Sequence, residues 1–134
     1  MSSQDDLIET ATQIGVENFR KTRGSVPEGF EVLRQHAPAA FAGYCMMRSD
    51  LMQEGALDLK TKELIFALLD VVIGATEGAK VHAANAIRLG LTVEQLSEGL
   101  VQCIMARGIT TWNMVGRATL QHAVEVAKET QGTR

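Results

Sequence analysis

Helical periodicity runs through nearly the whole chain. Apolar residues recur at intervals of three and four positions, as one face of an α-helix requires, and no stretch alternates as a half-buried strand would. The composition agrees, because aromatic residues make up only 4% of the chain and there are only two prolines, while good helix formers such as Ala and Leu are plentiful. The sequence therefore predicts an all-α, compact multi-helix fold.

Glycine and proline divide this pattern into seven predicted helices. The sixth has the clearest start, because Thr92 and Gln95 fit a capping box and Leu91 and Leu96 fit the hydrophobic staple around it. The fourth is apolar nearly all round in its second half, so we expect it to be central and buried. The predicted helices cover approximately residues 5–21, 27–34, 38–55, 59–73, 75–89, 93–108 and 112–130.

Length, charge and hydropathy limit the classes of function. A chain of 134 residues is expected to form one domain. Its formal net charge is −3 without a Lys/Arg cluster, which argues against a nucleic-acid partner. The longest apolar run, residues 64–73, is half as long as a membrane span. Because the first residues are polar and acidic, unlike a secretory signal, we expect a cytoplasmic protein with neither nucleic acid nor membrane as partner.

Residues 74–82 place an acid, a base and an imidazole close together in the sequence: Glu77, Lys80 and His82. Gly78 lies one turn before His82 on the same helix face, which would leave space for a substrate atom beside the imidazole. Glu63 immediately precedes the apolar run. Each residue also has a purely structural interpretation. A lone histidine on a helix is most often structural, and an acid in the first turn, such as Glu63, is stabilised by the helix dipole. Lys80 would be an ordinary lysine on a solvent-exposed helix face.

The other two histidines and the two cysteines are weaker candidates for functional residues. His36, His82 and His122 lack metal-ligand spacing such as HExxH, so no metal site is expected. His122 falls on the apolar stripe of the last helix, which predicts a core or interface histidine. Cys45 and Cys103 are predicted to be buried small hydrophobes.

Three segments in a fixed order carry a family resemblance. They are GALDLKTKELIFA (residues 55–67), EGAKVHAANA (77–86) and GLTVEQL (90–96). Together they resemble the carboxymuconolactone decarboxylase family, which includes the alkylhydroperoxidase D-like proteins. The resemblance covers about residues 38–128 and leaves residues 1–37 as an N-terminal helical extension of a single domain, 1–134. It implies an all-helical fold assembled into trimers or hexamers, with the active site near subunit contacts.

The resemblance also implies roles for particular residues. The proton-relaying glutamate of the peroxidase branch falls on Glu63 and its histidine on His82, while its two redox cysteines fall on Ala75 and Gly78. Neither Ala nor Gly can form a thiolate or a disulfide, so this chain is a member without the redox CxxC.

The decarboxylase branch also lacks those cysteines and needs no cofactor. It carries a Glu-Gly pair, and a lysine two residues before the histidine. Glu77, Gly78 and Lys80 resemble this arrangement, although the Glu-Gly pair is displaced by about one residue. We expect these three residues to bind substrate.

Three functions remain open. The first is a cofactor-free lyase acting on a small, unsaturated, anionic substrate, with His82 as general acid and base and Glu63 orienting it or relaying its proton. The second is a thiol peroxidase or antioxidant protein that uses Cys103 or Cys45. The third is a non-catalytic oligomeric binding protein. The lyase requires Glu63 and His82 to converge at a pocket, whereas the binding protein predicts a pocket filled by side chains such as Trp112 or Met114.

Overall fold

The computed structural model describes residues 2–132, which contain helices, turns and loops and no strand. The predicted all-α class is confirmed. The helices are α1 (Ser3–Arg23), α2 (Glu28–His36), α3 (Pro38–Leu51), α4 (Leu59–Ile73), α5 (Thr76–Arg88), α6 (Val93–Arg107), α7 (Ile109–Thr111) and α8 (Arg117–Gly132), with a π-helical segment, Trp112–Gly116, before α8. No helix within the described residues has the length and hydropathy needed to span a membrane.

Local side-chain bonds fix several helix ends where the sequence predicts them. Asp58 caps α4 by accepting a hydrogen bond from the Thr61 N–H at 2.7 Å. Thr92 and Gln95 form the reciprocal capping box of α6, with both bonds 3.0 Å long. Gly74 ends α4 with a φ of 85°, a left-handed conformation that glycine adopts without strain.

The last predicted helix, residues 112–130, is instead a π-helical segment followed by α8, and the short helix α7 precedes both. α7 begins at Ile109, directly after Gly108, and the backbone widens into a π turn in which the Arg117 N–H bonds to the Trp112 carbonyl. The Trp112 ring lies over Gly116, where a Cβ would come within 3.1 Å of the indole. The missing side chain at position 116 therefore makes room for the indole.

Backbone contacts divide the chain into two compact units, one ending at Gln53 and the other beginning at Glu54. That the chain forms one domain remains a prediction. In the first unit α1 and α2 pack on α3. Its core is formed by Phe19, Phe41 and Cys45, and Cys45 lies against α1 where Gly15 has no side chain.

In the second unit α4 packs against α5, and α5 packs against α8. Alanines contribute much of the core between these helices, since Ala67, Ala79, Ala83, Ala86 and Ala123 are all buried. Small side chains let helix axes approach closely. The polar side chains at the edge of the contact between α4 and α5 are consequently within reach of one another.

The prediction that the second half of α4 is buried against several neighbours is wrong in part. Ala67 and Val71 are buried, but Ile65, Leu69 and Ile73 are 40%, 54% and 73% exposed. These three residues are spaced four apart and form one stripe along the helix. The apolar surface of α4 therefore exceeds what its own unit covers.

Candidate active site

The facing surfaces of α4 and α5 bring six side-chain positions together around one imidazole. Helical spacing places three residues of each helix on the shared face, at intervals of three and four positions. On α4 they are Glu63, Phe66 and Asp70, and on α5 they are Gly78, His82 and Asn85.

A short hydrogen bond joins His82 to Glu63. His82 Nδ1 lies 2.6 Å from Glu63 Oε2, and the exposed fractions of the two side chains are 16% and 4%. The Asn85 amide nitrogen donates to the other carboxylate oxygen, Oε1, at 3.5 Å. Because an ionised carboxylate only accepts hydrogen bonds, this pairing favours a proton on Nδ1 and leaves Nε2 for proton transfer.

Phe66 and Asp70 surround the remainder of the imidazole. The Phe66 ring stacks on it with centroids 5.0 Å apart and an interplanar angle of 28°, so packing holds the plane of the ring. Asp70 Oδ2 lies 3.9 Å from His82 Nε2. A carboxylate therefore lies near each ring nitrogen of His82: Glu63 is hydrogen-bonded to Nδ1, and Asp70 lies farther away, near Nε2.

The space beside Gly78 is not open. A Cβ built at position 78 would overlap Asp70 Oδ2, so the Asp70 carboxylate occupies the region that the sequence predicts as room for a substrate atom. The Asp70 carboxylate can lie here only because residue 78 has no side chain.

Glu77 and Lys80 lie away from this face of α5. The Glu77 side chain is 90% exposed, and its carboxylate lies 3.6 Å from Lys80 Nζ. At about 100° per residue, Lys80 lies nearly opposite His82 around the helix axis. The structure therefore brings Glu63, Gly78 and His82 together and leaves the predicted pair Glu77 and Lys80 outside.

His122 is predicted to lie in a core or at an interface, and its exposure excludes the core. It lines an open groove of about 540 Å³ along α8, together with Trp112, Arg117 and Glu125. The buried line of α8 runs through Thr119, Ala123 and Val126. Met114 is 67% exposed, and Trp112 lies over Gly116 beside this groove, so neither side chain supports the prediction of a filled pocket at His82.

Both cysteines are buried, as predicted. Burial raises the pKa of the Cys45 thiol above its ordinary value, and the nearby Arg48 only partly opposes the increase. Burial likewise raises the pKa of the Cys103 thiol. A raised pKa reduces the thiolate fraction that peroxide chemistry requires. Within residues 2–132, no three His, Cys, Asp or Glu side chains form a group suited to hold a metal ion.

Asp70, Phe66 and Asn85 are the site residues that the sequence analysis does not single out. Asp70 carries a signal that could have revealed it, because it is the one charged residue in the run 64–73 and lies seven positions after Glu63. That spacing puts both acids on one helix face. Phe66 and Asn85 share faces with Glu63 and His82 but resemble ordinary helix residues.

Comparison with known proteins agrees with this architecture. The model of the carboxymuconolactone decarboxylase family matches residues 38–129, more than half of the chain. The chain belongs to the carboxymuconolactone decarboxylase family. It is similar to the crystal structure of a "putative carboxymuconolactone decarboxylase" from Burkholderia xenovorans LB400, with a TM-score of 0.82 and 29% sequence identity over 98% of this chain and 99% of that chain. No curated protein matches the sequence.

Proposed function

We propose that this chain is a carboxymuconolactone decarboxylase-like, cofactor-free lyase in which His82 moves a proton on a small unsaturated substrate. The observation that carries the proposal is the 2.6 Å bond between His82 Nδ1 and the buried Glu63 carboxylate. A carboxylate on one ring nitrogen orients an imidazole and stabilises its protonated form during proton transfer. Family membership supports the same reaction class.

The proposed reaction is the loss of CO2 from an unsaturated lactone acid. The bond between the ring carbon and the carboxylate carbon breaks, CO2 leaves, and the electron pair delocalises onto the conjugated lactone carbonyl. For this step His82 is the imidazolium, protonated on both ring nitrogens, and Nε2 donates its proton to a ring carbon. One proton taken up from solvent then restores the imidazolium, so each turnover releases one CO2 and consumes one proton. Glu63 stays ionised and orients the ring throughout.

Glu77 and Lys80 are not part of this proposal. They lie nearly opposite His82 on α5 and pair with each other. Replacing Lys80 with Gln should therefore change turnover far less than a substitution at His82.

A thiol peroxidase is less well supported. Ala75 and Gly78 occupy the positions of the family's redox cysteines. Cys45 and Cys103 are buried, and their pKa values are raised. A non-catalytic binding protein is distinguished by experiment, since it predicts no turnover of lactone acids.

The test measures decarboxylation of γ-carboxymuconolactone and related unsaturated lactone acids by the wild-type chain, His82→Gln and Glu63→Gln. Gln at position 82 can still donate to Glu63 but cannot shuttle a proton near neutrality. We expect His82→Gln to lower kcat by roughly 10² to 10⁴-fold, the usual contribution of general acid–base catalysis. Glu63→Gln should cost less, because Glu63 acts through the imidazole.

His122→Gln is the matched control, because His122 is an exposed histidine on another helix of the same unit. It should keep wild-type turnover. Near wild-type turnover by His82→Gln, or no turnover of any lactone acid by the wild-type chain, would contradict the proposal.

A further inference from the structure

The proposed reaction needs His82 as an imidazolium, and the bond to Glu63 accounts for only one of the two ring protons. Glu63 Oε2 lies 2.6 Å from Nδ1 and favours a proton on that nitrogen. The second proton, on Nε2, is the one that the reaction transfers. Because an isolated imidazole is mostly neutral above about pH 7, a further group is needed to favour the doubly protonated form.

Asp70 places a second negative charge beside the same imidazole. Its Oδ2 lies 3.9 Å from Nε2, and its side chain is 21% exposed. An opposite charge at such a distance in a partly buried site favours the charged form of an imidazole. When His82 is neutral, Glu63 and Asp70 are two like charges with no cation between them. Protonation of His82 puts a cation there and relieves their repulsion.

The distance between Asp70 and His82 also leaves the Nε2 proton available. At 3.9 Å, Oδ2 lies beyond hydrogen-bond distance of Nε2. A direct hydrogen bond would hold the proton between the two atoms and oppose its transfer to substrate. Asp70 therefore acts through its charge, and Nε2 remains the proton donor of the proposed reaction.

The other charged groups of the helices packed around His82 do not have this position. On α4 the charges that face the imidazole are those of Glu63 and Asp70. The charged pair on α5, Glu77 and Lys80, lies nearly opposite His82 around the helix axis. The buried residues of α8, which packs against α5, are uncharged: Thr119, Ala123 and Val126.

We propose that Asp70 is a positioning residue that holds His82 in the imidazolium form and leaves the Nε2 proton free for substrate. The catalytic consequence rests on the proposed function, whereas the effect on the charge of His82 needs no substrate. Because Asp70 is itself anionic, removing its charge should not weaken the binding of an anionic lactone acid. The expected loss is therefore in kcat, without an increase in KM.

Two variants remove the charge from this place in different ways. Asp70→Asn keeps the shape and removes the charge. Gly78→Ala keeps the charge but displaces the carboxylate, because a Cβ at position 78 would overlap Oδ2. Glu77→Gln is the matched charge control, since it removes an exposed negative charge on the far side of α5. Gly43→Ala is the matched glycine control, because a Cβ there would meet nothing within 4 Å.

The first measurement is an NMR titration of proteins with ¹⁵N-labelled histidine rings. The His82 signals are assigned by their loss in His82→Gln, and their shifts report the ratio of imidazolium to neutral imidazole. We expect this ratio at a fixed pH to be about tenfold lower in Asp70→Asn and lower by a smaller factor in Gly78→Ala. Glu77→Gln and Gly43→Ala should match wild type.

The titration can overturn the inference in two ways. A ratio in Asp70→Asn equal to or above that of wild type would show that the charge of Asp70 does not hold the His82 proton. An unchanged ratio in Gly78→Ala would show that the carboxylate does not act from its place beside residue 78. Thermal unfolding over the same pH range checks that each variant is folded.

The second measurement is the pH dependence of turnover of the lactone acid that the wild-type chain consumes. At a pH where His82 is mostly neutral in Asp70→Asn, kcat of this variant should be up to about tenfold below wild type. The difference should disappear at lower pH, because acid restores the imidazolium. A loss of the same size at every pH, or an increase in KM alone, would overturn the inference.

The two proposals fail in different ways. If Asp70→Asn matches wild type in the NMR titration while His82→Gln loses turnover, the role of Asp70 is refuted and the proposed function stands. If His82→Gln retains turnover, or the wild-type chain consumes no lactone acid, the proposed function is refuted. The NMR titration then still decides whether Asp70 holds His82 as an imidazolium.

Discussion

At the scale of single residues, burial distinguishes the acids of this protein more clearly than sequence position does. Glu63 is 3% exposed, yet both of its carboxylate oxygens have partners, His82 and Asn85. A buried carboxylate is tolerated only with such partners. Glu77 is also a candidate site residue, but its side chain lies in solvent. The sequence shows both acids and cannot show which one lies inside.

The pairing of Glu63 with His82 is predictable because the family resemblance indicates both residues. The side of α5 on which Lys80 lies is predictable from its spacing to His82. The spacing of four positions from Gly78 to His82 predicts that both lie on one helix face, and in the structure both lie on the face of α5 that contacts α4. Spacing of two from Lys80 to His82 already indicates opposite faces. Asp70 could have been found in the same way, from its seven-residue spacing to Glu63.

Removing the imidazole should also lower stability, because the Glu63 carboxylate would stay buried with only Asn85 beside it. We expect His82→Ala to reduce the free energy of unfolding by about 1 to 3 kcal/mol, the cost of leaving a buried polar group unsatisfied. In a Glu63→Gln background the same substitution should cost less, since no charge is left behind. Urea unfolding of the four proteins measures both values. Equal costs in the two backgrounds would show that the carboxylate is not the cause.

Burial should make both thiols slow to react. Because burial raises the pKa values of Cys45 and Cys103 in the folded state, the folded protein keeps these protons to higher pH than the unfolded chain. Their contribution to stability is therefore complete below the unfolded pKa and is lost as pH rises through the raised value.

A thiol-reactive dye at about pH 8, below the ordinary thiol value, should label the native protein slowly and both thiols of the urea-unfolded protein at once. Fast labelling of either cysteine in the native state would contradict this prediction and support the thiol peroxidase alternative.

At the scale of helices, a capping side chain or a terminal glycine made some ends predictable. The start of α1 was missed, because Ser2 and Asp5 form a capping box before Ser3, whereas the periodicity predicts a start near residue 5. Asp58, Gly74 and Thr92 mark their boundaries as predicted. The π segment was not predictable, because periodicity does not show that the Trp112 ring lies over Gly116. The buried side of α8 accordingly follows Ala123 rather than its neighbour His122.

The capping box of α6 should contribute measurably to stability. Thr92→Ala removes the bond to the Gln95 N–H, and we expect a loss of about 1 kcal/mol in the free energy of unfolding. Thr10→Ala is the control, because Thr10 is an exposed threonine within α1 and alanine has the higher helix propensity. Chemical denaturation should separate the two variants. Equal stabilities would mean that the cap is replaced by water at no cost.

At the scale of the whole molecule, the unexpected feature is how much apolar surface stays uncovered. Ile65, Leu69 and Ile73 on α4 are exposed, and so are Val101 and Met105 on α6. An apolar groove of about 230 Å³ runs between these two helices. The sequence predicts that the second half of α4 is buried against several neighbours, and a second copy of the chain could be the neighbour that covers the exposed stripe. Periodicity shows which faces are apolar, but it cannot tell a core from an interface.

We therefore predict a homo-oligomer whose contacts cover the exposed stripe of α4, and the family resemblance implies a trimer or a hexamer. Light scattering at micromolar concentration should give a mass several times the 14.5 kDa of one chain. Leu69→Glu would place a charge in the contact without disturbing the core, because Leu69 is 54% exposed, and it should shift the protein toward the monomer. Ile14→Glu, at a position 51% exposed on α1, should leave the mass unchanged. Association favours the folded chain by mass action, so the unfolding temperature should rise with protein concentration in wild type and less in Leu69→Glu. A wild-type mass of one chain, or an unchanged mass in Leu69→Glu, would show that this stripe is not the contact.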